Sequence, residues 1–294
     1  MIRCRRMDMH YYSIRMYIEK SPEHINCCDL LNVADEISNL LCCNYDHLGY
    51  FLLHPDYDFK DLGCEMINSR KNRKIFSELE IPLLYYGKNE EYPSSPIVKF
   101  ELKENNSMRL PTYSIEFNYP ILKSQSLCIS IDVKESLLSR GMNIEDFVKI
   151  QEIVREYGYE VNSAIAHYYW GNTRRVLLDG GEGGFITIND WRIIDHGIKF
   201  FNNWKNKLFD VFLINSIKTD SISQEAKEKV KNIIGENNIY EKDSILTFRL
   251  PQLPIVYLLN RFITTRSRRK IKIILEKENV CEKDANILHS ILRL

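Results

Sequence analysis

Hydrophobic and polar positions alternate from Tyr12 to Glu19, where Tyr12, Ile14, Met16 and Ile18 interleave with Ser13, Arg15, Tyr17 and Glu19. A period of two sends successive side chains to opposite faces, so the segment is predicted to be a strand with one buried face. Ser21-Pro22 follows, pairing a good cap with a residue suited to the first helical turn. Leu30, Val33, Ala34, Ile37, Leu40 and Leu41 then recur at helical spacing, predicting an amphipathic helix opened by Ser21. Residues 44–96 carry Pro55, Gly63, Gly87 and Tyr92-Pro93-Ser94-Ser95-Pro96, and loops with one short helix are expected there. Val98, Phe100 and Leu102 restore the alternation, as do Tyr113, Ile115 and Phe117. With the polar Glu104-Asn105-Asn106-Ser107 between them, they predict an antiparallel hairpin.

The order strand then helix returns with Leu127, Ile129, Ile131 and Val133. A helix follows, with Asn143 as its cap, Phe147, Ile150 and Val154 on its inner face and Gly158 as its stop. Further elements are expected at 160–168 (strand), around Asp179-Gly180-Gly181-Glu182-Gly183-Gly184 (hairpin turn), at Ser223–Ile234 with Gly235 closing it (helix) and at Ile245–Leu250 (strand). The alternating Ile271, Ile273 and Leu275 predict one more strand, and Glu282–Leu292 a closing helix. The fold class is α+β: antiparallel or mixed sheets with helices packed on one face. The order of elements fits two related strand-helix halves, 1–120 and 121–294, or one compact unit.

Composition adds bounds. The 294 residues are 44% hydrophobic and 27% charged, enough for a sizeable core, and 40 Lys and Arg balance 40 Asp and Glu, so any polyanion site is local. Eight cysteines lack the spacing of a disulfide framework, which predicts a reducing compartment, the cytoplasm. The basic stretch Met1–Met7 is not followed by the apolar region of a secretory signal, and no run of about 18 apolar residues predicts a membrane span.

Several constellations invite a chemical reading. The glycines at 180–184 have neither Gly-Lys-Ser/Thr nor Gly-x-Gly-x-x-Gly spacing, and Phe185–Ile188 reads as a strand, so a hairpin is favoured over a phosphate loop. His24 and Cys28 are spaced like zinc ligands, as are Cys43 and His47, but a continuous helix between them separates the pairs by about 22 Å. Asp56, Asp58 and Asp61 beside His54 read as an exposed turn. Ala166-His167-Tyr168-Tyr169-Trp170, with Trp191 and Trp204, reads as core. Arg261, Arg266, Arg268, Arg269, Lys270 and Lys272 form the strongest charge cluster, read as a solvated loop and strand edge or as a polyanion contact. No catalytic, cofactor-binding or metal-ligating residue is assigned.

The strand Tyr12-Ser-Ile-Arg-Met-Tyr-Ile-Glu19 leading into a helix is joined later by Asp190-Trp191-Arg192, Asn202-Asn203-Trp204 and Phe209-Asp-Val-Phe-Leu-Ile-Asn215. Together they resemble the cytosolic immunity proteins of bacterial toxin systems, in particular the immunity protein 52-like group. The resemblance implies an α+β protein that binds a cognate toxin and blocks it sterically, without chemistry of its own. In that reading Asp56, Asp58, Asp61, Glu90 and Glu91, in loops able to reach a partner, would meet a basic toxin. Two alternatives stand beside it. One is a nucleic-acid-associated protein using the 261–272 cluster, and the other an enzyme with a dispersed site, such as His167 or His196 beside a carboxylate.

Overall fold

The alternating segment at the start of the chain becomes β1 (His10–Lys20), and it lies in the middle of a ten-stranded sheet. The computed structural model describes residues 10–20, 24–53, 67–68, 73–74, 76–78, 80–81, 95–102, 112–119, 127–139, 141–170, 211–251 and 257–281. In chain order, the elements after β1 are β2 (Ile25–Asn26), α1 (Cys27–Leu40), β3 (His47–Leu53), β4 (Ile67–Asn68), β5 (Glu80–Ile81), β6 (Ser95–Leu102), β7 (Tyr113–Asn118) and β8 (Leu127–Lys134). They continue with α2 (Ile144–Glu156), β9 (Glu160–Trp170), β10 (Ile214–Lys218), α3 (Gln224–Ile234), β11 (Ile239–Lys242), β12 (Ile245–Arg249) and α4 (Tyr257–Lys277). The sheet order is β11-β12-β10-β9-β1-β8-β7-β6-β3-β4, and every pairing is antiparallel. The expected α+β class is what the chain adopts. Because β1 lies between β8 and β9, strands from either side of residue 120 alternate at the centre of one sheet.

Register explains the first core. Ile14 faces Ile131 on β8 and Ala166 on β9, Met16 faces Ile129 and Ala164, and Ile115 and Phe117 extend these rows onto β7. On this face sit Leu30, Val33, Ala34 and Ile37 of α1 with Phe147, Ile150 and Val154 of α2, all buried in one cluster. The opposite face carries a second cluster beneath the far end of the sheet. There Tyr17, Ile165, Ile217, Leu246 and Phe248 meet Ala226, Val230 and Ile234 of α3 and Ile271 and Leu275 of α4. The reading of helices on one face thus describes the α1–α2 layer, and α3 and α4 add a layer on the other side.

Local signals account for most boundaries. Asn143 caps α2 by accepting from the Asp146 N–H at 2.7 Å, Ser223 caps α3 through the Ala226 N–H at 3.2 Å, and Gly235 ends α3 at φ +85°. The hairpin of β6 and β7 forms as expected, with Phe100 opposite Ile115. Three expectations fail for physical reasons. The first helix opens at Cys27 rather than Ser21: Ile25–Asn26 is held extended by pairing with Glu80–Ile81, and the Asn26 side chain accepts from the N–H groups of Cys28 and Asp29. Within 44–96, His47–Leu53 is a strand paired with β6, although Gly49 and the unbroken Tyr50–Leu53 run hide its alternation. The segment 271–275 is helical. Ile271, Ile274 and Leu275 follow helical spacing toward the core, whereas Ile273, the middle of the supposed alternation, is 54% exposed. The glycine turn at 179–184 and the closing helix at 282–292 lie outside the described residues.

Ile271→Ala should destabilise the protein by about 2–5 kcal/mol in chemical denaturation, because it empties a buried site. Ile273→Ala should stay within about 0.5 kcal/mol. Comparable losses at both positions would be the signature of a strand that buries both.

Candidate functional site

The second face of the central strands is polar and, against the expectation of one wet face for β1, buried. Register lines up Glu101, Ser114, Asp132 and Ser13 across β6, β7, β8 and β1, and the backbone of His167 on β9 completes that row. The next row runs Lys99, Glu116, Ser130, Arg15. Ser13, Arg15, Ser114, Glu116, Glu101, Ser130 and Asp132 are all buried. The guanidinium of Arg15 reaches diagonally to the Asp132 carboxylate, with Nη2 at 3.3 Å from Oδ2 and 3.5 Å from Oδ1, and its Nη1 donates to the Ile14 carbonyl at 2.9 Å. Lys99 Nζ lies 3.0 Å from Glu116 and 3.9 Å from Glu101. Removal from water is costly for each of these charges, and pairing across neighbouring strands offsets the cost. The hydroxyls of Ser13 and Ser163 are buried without a hydrogen-bond partner.

The sequence carried a signal for this spine: polar pairs two residues apart recur in four strands, at 13 and 15, 99 and 101, 114 and 116, 130 and 132. A single strand read alone assigns such positions to solvent. Part of the segment quoted for the family resemblance also has a structural task. Asn215, fully buried, accepts from the Phe212 N–H at 2.8 Å and donates to the Phe212 carbonyl at 2.9 Å, fixing the entry to β10.

The basic cluster stands on α4, not on a loop and strand edge, and the helix divides it. Arg268 lies with its guanidinium carbon 6.0 Å from the centre of the Phe212 ring, and Lys272 pairs with Glu276 at 3.7 Å. Arg266, Arg269 and Lys270 are exposed. Arg261 belongs to the same helix, while its side chain lies outside the description. Asp56, Asp58, Asp61, Glu90 and Glu91 lie outside the described residues, as do Trp191, His196 and Trp204. The side chains of His167 to Trp170 do so as well.

The paired metal candidates are separated by α1. Cys28 is exposed in its first turn and Cys43 is buried beyond its end, and the 12 helical residues between them, 29–40, span about 18 Å. Among the described residues no three His, Cys, Asp or Glu side chains converge as a metal-ligand set. Burial pushes the thiols of Cys27, Cys43 and Cys128 up to about 11, so at neutral pH they are protonated and weakly nucleophilic. On the α1 side, Asp35 is held by Arg73 and accepts from Tyr45 at 2.7 Å, and Tyr157 donates to Glu36 at 2.5 Å.

Asp132→Leu, which strands the Arg15 charge, should cost about 3–5 kcal/mol, and adding Arg15→Met should recover part of that loss in a double-mutant cycle. Simple additivity would show that the two side chains do not interact. For the thiols, alkylation of the folded protein read by peptide mass spectrometry should label Cys28 and Cys42 and spare Cys27, Cys43 and Cys128. A thiol whose folded pKa is raised stabilises the fold below its unfolded value and loses that contribution as pH rises through the folded one. Stability should therefore fall between pH 9.0 and about 11. Flat stability across that window would contradict the burial argument.

No protein-family model matches the chain. No curated protein matches it either. Among solved structures, the chain is similar in fold to the Pseudomonas aeruginosa T6SS protein PA0821, with a TM-score of 0.54 over 95% of this chain and 84% of that one, at 9% sequence identity.

Proposed function

We propose that this chain is an immunity protein of a bacterial toxin system, which binds a cognate toxin and neutralises it by occupying its surface rather than by chemistry. The observation that carries the reading is the likeness of fold, over nearly the full length, to a protein of a T6SS, a context compatible with toxin systems. The resemblance of the β1 and 209–215 segments to immunity proteins points the same way. The chemistry of the described residues supports it too: the buried carboxylates of the central sheet are engaged with Arg15 and Lys99, and the buried cysteines are held as thiols. The six described cysteines are free, which supports action in the reducing cytoplasm.

Co-expression tests this directly. The toxin encoded beside this chain should arrest growth when produced alone. Growth should return when the chain is supplied, and the two proteins should copurify in equal amounts. Continued arrest in cells that contain folded chain would refute the proposal.

A further inference from the structure

The outer face of α4 has the make-up of a protein-docking surface. Arg266, Arg269, Lys270, Ile273 and Lys277 are all exposed and fall at i, i+3, i+4, i+7 and i+11, so they share one stripe about 16 Å long. The helix's inner face is already spent, since Ile271 and Leu275 are wholly buried in the second core. Arg268 and Lys272, at the sides, have Phe212 and Glu276. Among the described residues, Arg266, Arg269 and Lys270 have no carboxylate within ion-pair distance, and the 54% exposed Ile273 sits beside them.

Solvated cations alone would need no explanation. An exposed isoleucine ringed by uncompensated positive charge is different, because it repeats the arrangement of an apolar anchor inside a polar rim. The field is local: α4 holds seven Lys and Arg against one Glu in a chain whose charges balance. The complementary surface is acidic with an apolar notch. A phosphate backbone offers no apolar partner for the exposed Ile273. A membrane surface would need an apolar face, which α4 has committed to the core.

We propose that this stripe docks an acidic protein surface, with Ile273 as the anchor and Arg266, Arg269, Lys270 and Lys277 as the cationic rim, and that the acidic surface belongs to the toxin, as a patch separate from the basic one expected to meet Asp56, Asp58, Asp61, Glu90 and Glu91. The last clause rests on the function proposed above, so the test has two arms. In the first, the full chain is titrated with a fluorescent peptide of alternating Glu and Leu blocks and, separately, with a short DNA duplex. The peptide should bind more tightly, and more weakly as salt rises. Ile273→Ser should weaken it about tenfold and R266E/R269E/K270E about a hundredfold, with unchanged melting curves. Equal binding by the variants, or tighter binding of the duplex, overturns the docking surface whatever the toxin does. In the second arm, the same variants are titrated against the co-expressed toxin, where a similar loss is expected. Wild-type affinity in the variants would place the toxin elsewhere on the chain and overturn the assignment. Wild-type chain that ignores the toxin yet binds the peptide through α4 would refute the function proposal and leave the surface standing.

Discussion

The structure depends on β1 being buried on both faces. Ile14, Met16 and Ile18 seat the α1–α2 layer, while Tyr17, on the reverse side, belongs to the core under α3 and α4. On that reverse side lie Ser13 and Arg15, both buried: the Ser13 hydroxyl has no hydrogen-bond partner, and the Arg15 charge is met by the neighbouring strand. The pairing of Arg15 with Asp132 resolves the charge and also fixes register. A slip of one residue would turn the guanidinium into the apolar layer beside Ile131 and Ala166. A buried ion pair is weak evidence for net stability, because an apolar pair of the same shape can do as well. Its value here lies in specifying which strand neighbours which, and in what alignment.

From that alignment comes a segregation of charge that the neutral total conceals. The α1 and α2 helices carry seven Asp and Glu against one Lys and one Arg, and they lie on one side of the sheet. The α4 helix, with seven basic residues against one Glu, lies on the other. Complementary potential raises the association rate more than the final affinity, so the acidic α1 and α2 helices and the basic α4 would orient the encounter with a charged partner of the kind proposed above.

Much of this was legible in the sequence where one local rule sufficed. The strands β1, β6, β7 and β8 follow from alternation, α2 from its cap Asn143 and the stop at Gly158, and α3 from the segment Ser223–Ile234 closed by Gly235. What escaped depended on partners distant in sequence. Asn26 became a cap because Glu80–Ile81 holds the preceding backbone extended, and His47–Leu53 became a strand because β6 offers it an edge. The basic segment at 266–277 misled because isoleucines at 271 and 273 imitate a strand, while Ile274 and Leu275 complete a helical face. The charged spine was visible only across strands, as polar positions that coincide once register is known. The exposed stripe on α4 needed the helix first.

Neutralisation by occupancy, as proposed here, ties inhibition to a fixed stoichiometry. Purified toxin, assayed for its own activity, would be titrated with the chain while complex formation is followed by calorimetry. Activity should fall in proportion to the toxin bound and vanish at one chain per toxin. Full activity should return when the complex is denatured and the toxin refolded alone. Loss of activity at a small fraction of that ratio, or toxin that stays inactive after separation, would mean that the chain alters its partner chemically and would rule out occupancy.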